Sequence, residues 1–254
     1  MNVSINGPQI YWESSWSVPL LGKLQITASL VDAWIILVLI GVLCWWLGRG
    51  LTVENISKKQ AVAELLVTTC QNFVNGNMGE KYACFSPFIG ALFSYSALCS
   101  LSSLVGLYPA TSDLSTELSW ALLVFAMITY TKIRTNGVGG YLKGFTTPIP
   151  VFTPFNIISE LATPISMAFR HFGNIMSGGV ISTLVYAALA VLSQAVFGLL
   201  PGALGEILSL IPLFQLGIPA ILSVYFDLFS SLMQAFIFCM LTMLYIANAA
   251  QTDE

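Results

Sequence analysis

The chain reads LFSSLMQAFIFCMLTMLYIANAAQT over residues 228–252, a run without a single Asp, Glu, Lys or Arg. A helix needs about 20 apolar residues to cross the ~30 Å hydrocarbon layer of a membrane. Residues 82–112 and 207–226 are likewise free of these four residue types. The runs show no strict alternation of apolar and polar residues, which favours membrane helices over a β-barrel. We therefore predict an all-α integral membrane protein.

The composition supports this class. Of the 254 residues, 56% are hydrophobic and 8% are charged, whereas about 25% are charged in an average soluble protein. The net charge of −3 gives no indication of nucleic-acid binding. The five cysteines have no CxxC spacing, so free thiols are favoured over disulfides or a metal site. No GxxxxGK[ST] loop occurs, so we expect the chain to bind no nucleotide and no cofactor.

The apolar runs predict about five membrane helices. The first covers 30–48 and has Asp32 near its N-terminus, where a carboxylate suits the helix dipole. Residues 51–80 are more polar and follow a helical apolar pattern, which predicts an amphipathic helix on the cytoplasmic membrane surface. The other four helices lie in the region 84–250, at about 84–107, 117–134, 156–200 and 207–250.

The last two helices are far longer than one perpendicular crossing requires at ~1.5 Å per residue. Either they tilt steeply as a hairpin, or the helix over 156–200 breaks near Gly178 and Gly179. A Pro-rich connector leads into them.

Positive charge predicts the orientation. The N-terminal segment 1–29 has one basic residue, and its Trp12 and Trp16 suit the lipid–water boundary. Two loops carry most of the remaining lysines and arginines, so the positive-inside rule predicts that both face the cytoplasm. The N-terminus is then outside and the C-terminus is cytoplasmic. No transit segment is apparent, which favours the inner (plasma) membrane of a bacterium. The basic residues of the two loops are Arg49, Lys58, Lys59, Lys81, Lys132, Arg134 and Lys143.

Arg170 is the most informative residue of the chain, because it lies well inside the fourth predicted helix. An arginine at mid-membrane costs on the order of 2.5–3.5 kcal/mol, and it cannot escape by losing its proton. It could extend to an interface or pair with a carboxylate that holds helices together. Intramembrane arginines more often mark ion pathways, which is the interpretation that we favour.

Four further polar residues accompany it. Asn174 lies four residues after Arg170 and therefore on the same helical face. Glu160 lies about 15 Å earlier along the helix axis, toward the cytoplasmic end. Asp227 and Gln234, seven residues apart, share a face of the last helix. Each alone could be a polar contact between helices, but together they predict a hydrated polar path.

Two stretches of the chain resemble motifs of a known family. Residues 164–178 read PISMAFRHFGNIMSG, which resembles the P-x-S-x-x-x-R-x-F-G-N-x-x-x-G signature of the subunit a family of the F-type ATP synthase. Residues 234–238, QAFIF, followed by Leu241-Thr242 and Tyr245, resemble the last helix of the family. Weaker matches occur at 106–109 (GLYP), 109–113 (PATSD) and 137–140 (GVGG).

The resemblance implies a stator subunit that is not itself catalytic. Two offset half-channels in the region 84–250 would carry H⁺ or Na⁺ to and from carboxylates of a rotating c-ring, and so couple ion flow to rotation. The last two helices would face that ring. The implied partners are the c-ring, the peripheral-stalk subunit b, the remaining F1Fo subunits and membrane lipid.

The resemblance also implies residue roles. Arg170 matches the arginine that faces the ring carboxylates, and Gln234 matches the glutamine beside it on the neighbouring helix. Asn174 matches a polar lining residue of the outer half-channel, and Asp113 matches an acidic residue near its mouth. Glu160 corresponds, shifted by about one turn, to the carboxylate of the inner half-channel.

One departure from the family concerns the outer half-channel. The family often has Glu or His where this chain has Gly179, and His or Glu where it has Asp227. We infer that Asp227 alone supplies the titratable group at this level. His171, the only histidine, is interpreted as a packing residue or a lipid-facing polar residue, and only weakly as a proton relay.

The alternative function is a stand-alone secondary ion transporter or channel. Such a protein would need its own substrate cage, yet the polar residues are few and lie on one hairpin. The sequence also shows no internal repeat of the kind that many transporters have.

Overall fold

Helices dominate the computed structural model, which describes residues 8–18, 22–53, 56–147, 149–197, 214, 221–222 and 224–250. Its main helices are α1 (Ala28–Gly48), α2 (Lys58–Met78), α3 (Ser86–Leu101), α4 (Leu114–Gly144), α5 (Thr153–Phe197) and α6 (Ser231–Ala249).

Among the described residues, five helical stretches are long and apolar enough to cross a membrane. They are Ala28–Gly48, Glu80–Val105, Leu114–Gly144, Pro150–Val196 and Val224–Ala249. The predicted class, an all-α multi-pass membrane protein with about five membrane helices, is confirmed.

The last predicted helix is only partly described. Its expected start near residue 207 lies outside the described residues, as do residues 198–200 at the expected end of the preceding helix. The described part begins with a π-helix, Val224–Ser230, that leads directly into α6. Single π-helical turns within α-helices occur often at functional sites, and this one contains Asp227.

A β-hairpin precedes the first helix, and the sequence analysis did not predict it. Strands β1 (Ile10–Val18) and β2 (Gly22–Thr27) pair antiparallel, with Trp12 opposite Ile26. Trp12 and Trp16 are exposed. The strand pattern was obscured because the pairing is irregular between Ile10 and Trp12 and between Glu13 and Ser17.

The first membrane helix, α1, contains a buried aspartate, Asp32, which does not lie in the first turn where it would interact with the helix dipole. Asp32 lies beyond the first turn of α1 and is only 3% exposed. The hydroxyl of Ser102, which follows α3, donates a hydrogen bond to its Oδ2 at 2.7 Å. The dipole explanation for Asp32 is therefore wrong, since its carboxylate serves a contact between α1 and the end of α3.

Helices α2 to α6 share one apolar core. Its largest members include Val124 of α4, Met167 of α5 and Phe238 of α6, all buried. In α5, 45 residues span about 67 Å, and the helix continues through Gly178 and Gly179 without the break that was considered. A steep tilt of this helix in the membrane stays a prediction.

Helix α2 carries an apolar face that the described part of the chain does not cover. Val62, Leu65 and Leu66 are each more than half exposed. The helix begins after Ser57, whose Oγ accepts a hydrogen bond from the backbone N–H of Gln60 at 3.2 Å. It ends at Gly79, whose φ of 88° requires glycine. Exposed apolar residues on this helix agree with the amphipathic pattern of the sequence.

Helix α4 begins at an aspartate that also ties it to α1. Oδ1 of Asp113 accepts the backbone N–H of Ser115 at 3.0 Å, as an N-cap residue does. Its Oδ2 accepts the hydroxyl of Ser29 at 3.1 Å. The carboxylate of Asp113 thus caps the N-terminus of α4 and joins α4 to α1.

We expect Asp113→Ala to lower the thermal midpoint of the detergent-solubilised protein by a few degrees, because loss of an N-cap costs about 0.5–2 kcal/mol. Asp113→Asn is the matched control, since asparagine caps helices as well as aspartate does. Equal midpoints for the parent and the Ala variant, measured by differential scanning fluorimetry, would contradict the structural role of this carboxylate.

Candidate functional site

Helix α5 has two distinct faces around Arg170. Met167, Ala168 and His171 are buried, whereas Arg170 is exposed. At 3.6 residues per turn, neighbouring residues point about 100° apart. The buried residues therefore define the side that packs on the protein, and Arg170 stands on the side that the described residues leave open.

Arg170, Asn174 and Gln234 line one open groove between α5 and the last helix. Its volume is about 490 Å³. Gln234 is 5% exposed and forms part of its wall. The structure thus brings together the three residues that the sequence singled out on two helices. The other lining residues are Phe169, Gly173, Ser177, Tyr225, Phe229, Ser230, Met233 and Ile237.

The Arg170 side chain has no ion pair and no hydrogen bond to any residue that the structure describes. A permanent cation on a membrane helix is unfavourable unless water or an opposite charge meets it. The groove therefore presents a cation that the described part of this chain does not neutralise.

Asn174 links the two helices of the groove. Its Nδ2 donates a hydrogen bond to Oγ of Ser230 at 2.7 Å. Ser230 is the last residue of the π-helix, directly before α6. The amide of Asn174 thus fixes the spacing of the hairpin one helical turn after Arg170.

Asp227 and Gly179 line a second cavity, of about 310 Å³. A Cβ atom added at Gly179 would meet no atom of the described residues within 4 Å, so these residues leave room for a side chain at this position. At the neighbouring Gly178, such an atom would lie 3.4 Å from the ring of Phe226, which packs against the helix there. The cavity therefore has one acidic wall, Asp227, and one open wall, Gly179. Its further lining residues are Ser103, Tyr108, Pro109, Ser112, Ile175, Met176, Val180, Thr183 and Ser231.

Asp113 does not line this cavity, although its neighbour Ser112 does. Its two carboxylate oxygens instead accept the hydrogen bonds from Ser29 and Ser115. The residue lies beside the cavity, at the end of α4 where α1 approaches.

Glu160 forms an ion pair with Lys132 of α4, which the sequence analysis did not identify. Nζ of Lys132 lies 2.7 Å from both carboxylate oxygens. The side chain of Glu160 is 18% exposed and that of Lys132 is 31% exposed, so the ion pair is partly open to its surroundings. Spacing along the chain carries no signal for this contact, because the two residues lie on different helices.

A second pairing that the sequence analysis missed lies beneath Arg170. Nδ1 of His171 is 3.1 Å from Oε2 of Glu117, and both side chains are fully buried. The lipid-facing alternative for His171 is therefore wrong, and the packing alternative is confirmed. The signal that could have revealed the pair was that Glu117 and the only histidine of the chain lie on two predicted membrane helices, where each needs a polar partner.

Comparison with known proteins identifies the family. The chain matches the ATP synthase A chain family over residues 30–247. It is 30% identical to ATP synthase subunit a 1 of Crocosphaera subtropica, over 96% of this chain and 93% of that protein. It is 31% identical to ATP synthase subunit a 2 of Acaryochloris marina, over 96% and 92% of the two chains. It is 32% identical to ATP synthase subunit a 1 of Chlorobaculum parvum, over 96% and 95%.

The match extends over nearly the whole chain and includes both helices that form the groove at Arg170. The chain belongs to the ATP synthase A chain family.

Proposed function

We propose that Arg170 is the fixed charge that separates two ion half-channels, and that the carboxylates of a rotating c-ring pass it one after another. The family membership makes this chain the stator subunit of the membrane sector, in which ion translocation is coupled to the c-ring. The observation that carries the proposal is the exposed, unneutralised Arg170 in a groove with Asn174 and Gln234.

The groove suits a helix that bears an acid. Its wall is mostly apolar, which favours contact with a membrane helix, and its one charge is a cation. A guanidinium attracts a carboxylate in two parallel hydrogen bonds. A ring carboxylate that reaches Arg170 would therefore give up its bound ion. The Gln234 amide can hydrogen-bond the carboxylate or the guanidinium without adding charge.

The order of groups along α5 supports two separate paths. Glu160 lies before Arg170, and the cavity with Asp227 meets the helix after it, at residues 175–183. Titratable groups thus stand on both sides of the permanent cation. An ion entering past Asp227 could leave past Glu160 only after the ring had carried it around.

Arg170 also blocks a direct leak, because a cation that moves straight from one path to the other would have to pass a like charge. Each elementary charge that crosses 100 mV releases about 2.3 kcal/mol. The barrier makes this energy available as rotation instead of heat.

The outer half-channel would use Asp227 as its titratable group, with Asn174 and the open space at Gly179 on its way to Arg170. Asp113 would lie near its mouth. The inner half-channel would use Glu160, beside which Lys132 places a positive charge.

The remaining assignments follow from charge and family. The N-terminus would lie outside and the C-terminus in the cytoplasm of a bacterial inner (plasma) membrane, because the basic residues between α1 and α3 and those in the C-terminal half of α4 would stay inside. The partners would be the c-ring, subunit b of the peripheral stalk and the remaining F1Fo subunits. The exposed apolar face of α2 would rest on lipid at the cytoplasmic surface.

We expect Arg170→Lys to lower ATP-driven ion pumping by roughly tenfold or more. The ammonium cannot form the paired hydrogen bonds of a guanidinium, a charge-assisted bond contributes ~1.5–3 kcal/mol, and each ~1.4 kcal/mol is a factor of ten. Pumping is measured by fluorescence quenching in inverted vesicles, with assembly checked by immunoblot. Arg134→Lys, at an exposed position of α4, is the control and should pump as the parent does. Near-parental pumping by Arg170→Lys would rule out the barrier role.

We expect Asp227→Asn to slow passive ion conduction through the membrane sector several-fold, because an amide cannot exchange the ion, whereas Asp227→Glu should conduct. Adding Gly179→Glu to Asp227→Asn should restore part of the rate, since the open position faces the same cavity. Conduction is measured in vesicles stripped of the catalytic sector. If Asp227→Asn conducts as fast as the parent, Asp227 is not on the path.

A further inference from the structure

The proposed mechanism gives no role to the contact between Glu117 and His171. This contact lies next to Arg170, because His171 directly follows Arg170 in α5. Glu117 is in the first turn of α4, and His171 follows Arg170 on α5. Both side chains have no exposed surface, and Nδ1 of His171 lies 3.1 Å from Oε2 of Glu117. The carboxylate of Glu117 and the imidazole of His171 are therefore in contact with each other and shielded from water and lipid.

Each member of this pair depends on the other. Within the described residues, none of their four side-chain polar atoms forms a hydrogen bond of good geometry, so the 3.1 Å approach of the two side chains is the polar contact that either one makes. The ring of Trp120 approaches His171 edge-on, with centroids 6.4 Å apart. The ring of Phe238 on α6 lies 5.8 Å away. The imidazole is thus held from α4 and α6 at once.

This enclosure determines which way Arg170 points. Because consecutive residues differ by about 100° around a helix axis, a His171 fixed in the core leaves Arg170 only the exposed side. Turning α5 by one residue would bring the guanidinium toward Glu117 and expose the imidazole.

An apolar core alone defines this rotation weakly. Core residues of similar size can be exchanged with little loss of stability, whereas structural uniqueness is lost first. A buried ion pair adds little stability compared with apolar residues of similar volume, but it can select one arrangement of helices. The contact between Glu117 and His171 has the properties of such a selector.

We propose that Glu117 is a positioning residue for Arg170. Through its contact with His171 it sets the rotation of α5, so that the guanidinium faces the groove and the ring beyond it. This inference rests on the function proposed above, because it assigns a purpose to the direction in which Arg170 points.

The test is the double variant Glu117→Leu/His171→Leu in the assembled complex, which removes both polar groups and leaves neither unpaired. The exchange variant Glu117→His/His171→Glu is the matched control, because it rebuilds the contact in reverse. Pumping per ATP hydrolysed is measured for both in the otherwise native chain.

Rotation is measured in a second background, with exposed Cys44 and Cys84 changed to Ser and with Gly173→Cys, a position with free space around its Cβ. The probe is oxidative disulfide formation with a cysteine placed beside the ring carboxylate. A disulfide needs Cα atoms within about 7 Å, so a turn of α5 should lower its yield about tenfold.

We expect the double variant Glu117→Leu/His171→Leu (the Leu pair) to assemble at the parental level. It should lose most of the cross-link to the ring and pump fewer ions per ATP. The exchange variant should regain the cross-link and the pumping. Parental cross-linking and coupling in the Leu pair would overturn the positioning role and leave the proposed function intact. If the Gly173→Cys parent itself gives no cross-link to the ring, the proposed function fails together with this inference.

Should the Leu pair fail to assemble, the exchange variant decides. Recovery of assembly and coupling supports the contact, and failure to recover overturns it.

Discussion

The whole arrangement depends on one constraint, which is that a permanent cation stands on a membrane helix without a partner among the described residues of its own chain. Arg170 cannot lose its proton, so its charge must be hydrated by water or paired with a carboxylate of another subunit. Its neighbours are arranged accordingly. The groove keeps Arg170 beside the neutral amides of Asn174 and Gln234, and the two acids of α4 and α5, Glu117 and Glu160, are engaged elsewhere. Glu160 contacts Lys132, and Glu117 contacts His171.

This division of charges would allow Arg170 to serve as the proposed barrier. A carboxylate of the same chain at 3 Å would neutralise Arg170 and compete with any that arrives on a partner. The structure meets this requirement by giving Glu160 and Glu117 a basic partner each. The long helix α5 carries three features of the proposed path in sequence, namely the acid at residue 160, the cation at residue 170 and the open cavity wall near residue 179.

The sequence predicted those features that depend on residues close together in the chain. Long apolar runs predicted the five membrane helices, and the spacing of Arg170 and Asn174 predicted their shared face. The motif around Gln234 then brought the last helix to the same groove. The sequence did not predict contacts between helices. The residues of each pair, Lys132 with Glu160 and Glu117 with His171, are far apart in the chain and follow no sequence period. The irregular pairing of β1 with β2 likewise hid the hairpin.

The most direct test of the central claim is a cryo-electron microscopy structure of this chain assembled with its ring, at a resolution that defines side chains. The account predicts that the guanidinium of Arg170 lies at mid-membrane depth, facing the ring helix within about 4 Å of its carboxylate or joined to it through water. A guanidinium among lipid headgroups, or one paired with Glu160 or Glu117 of its own chain, would contradict it.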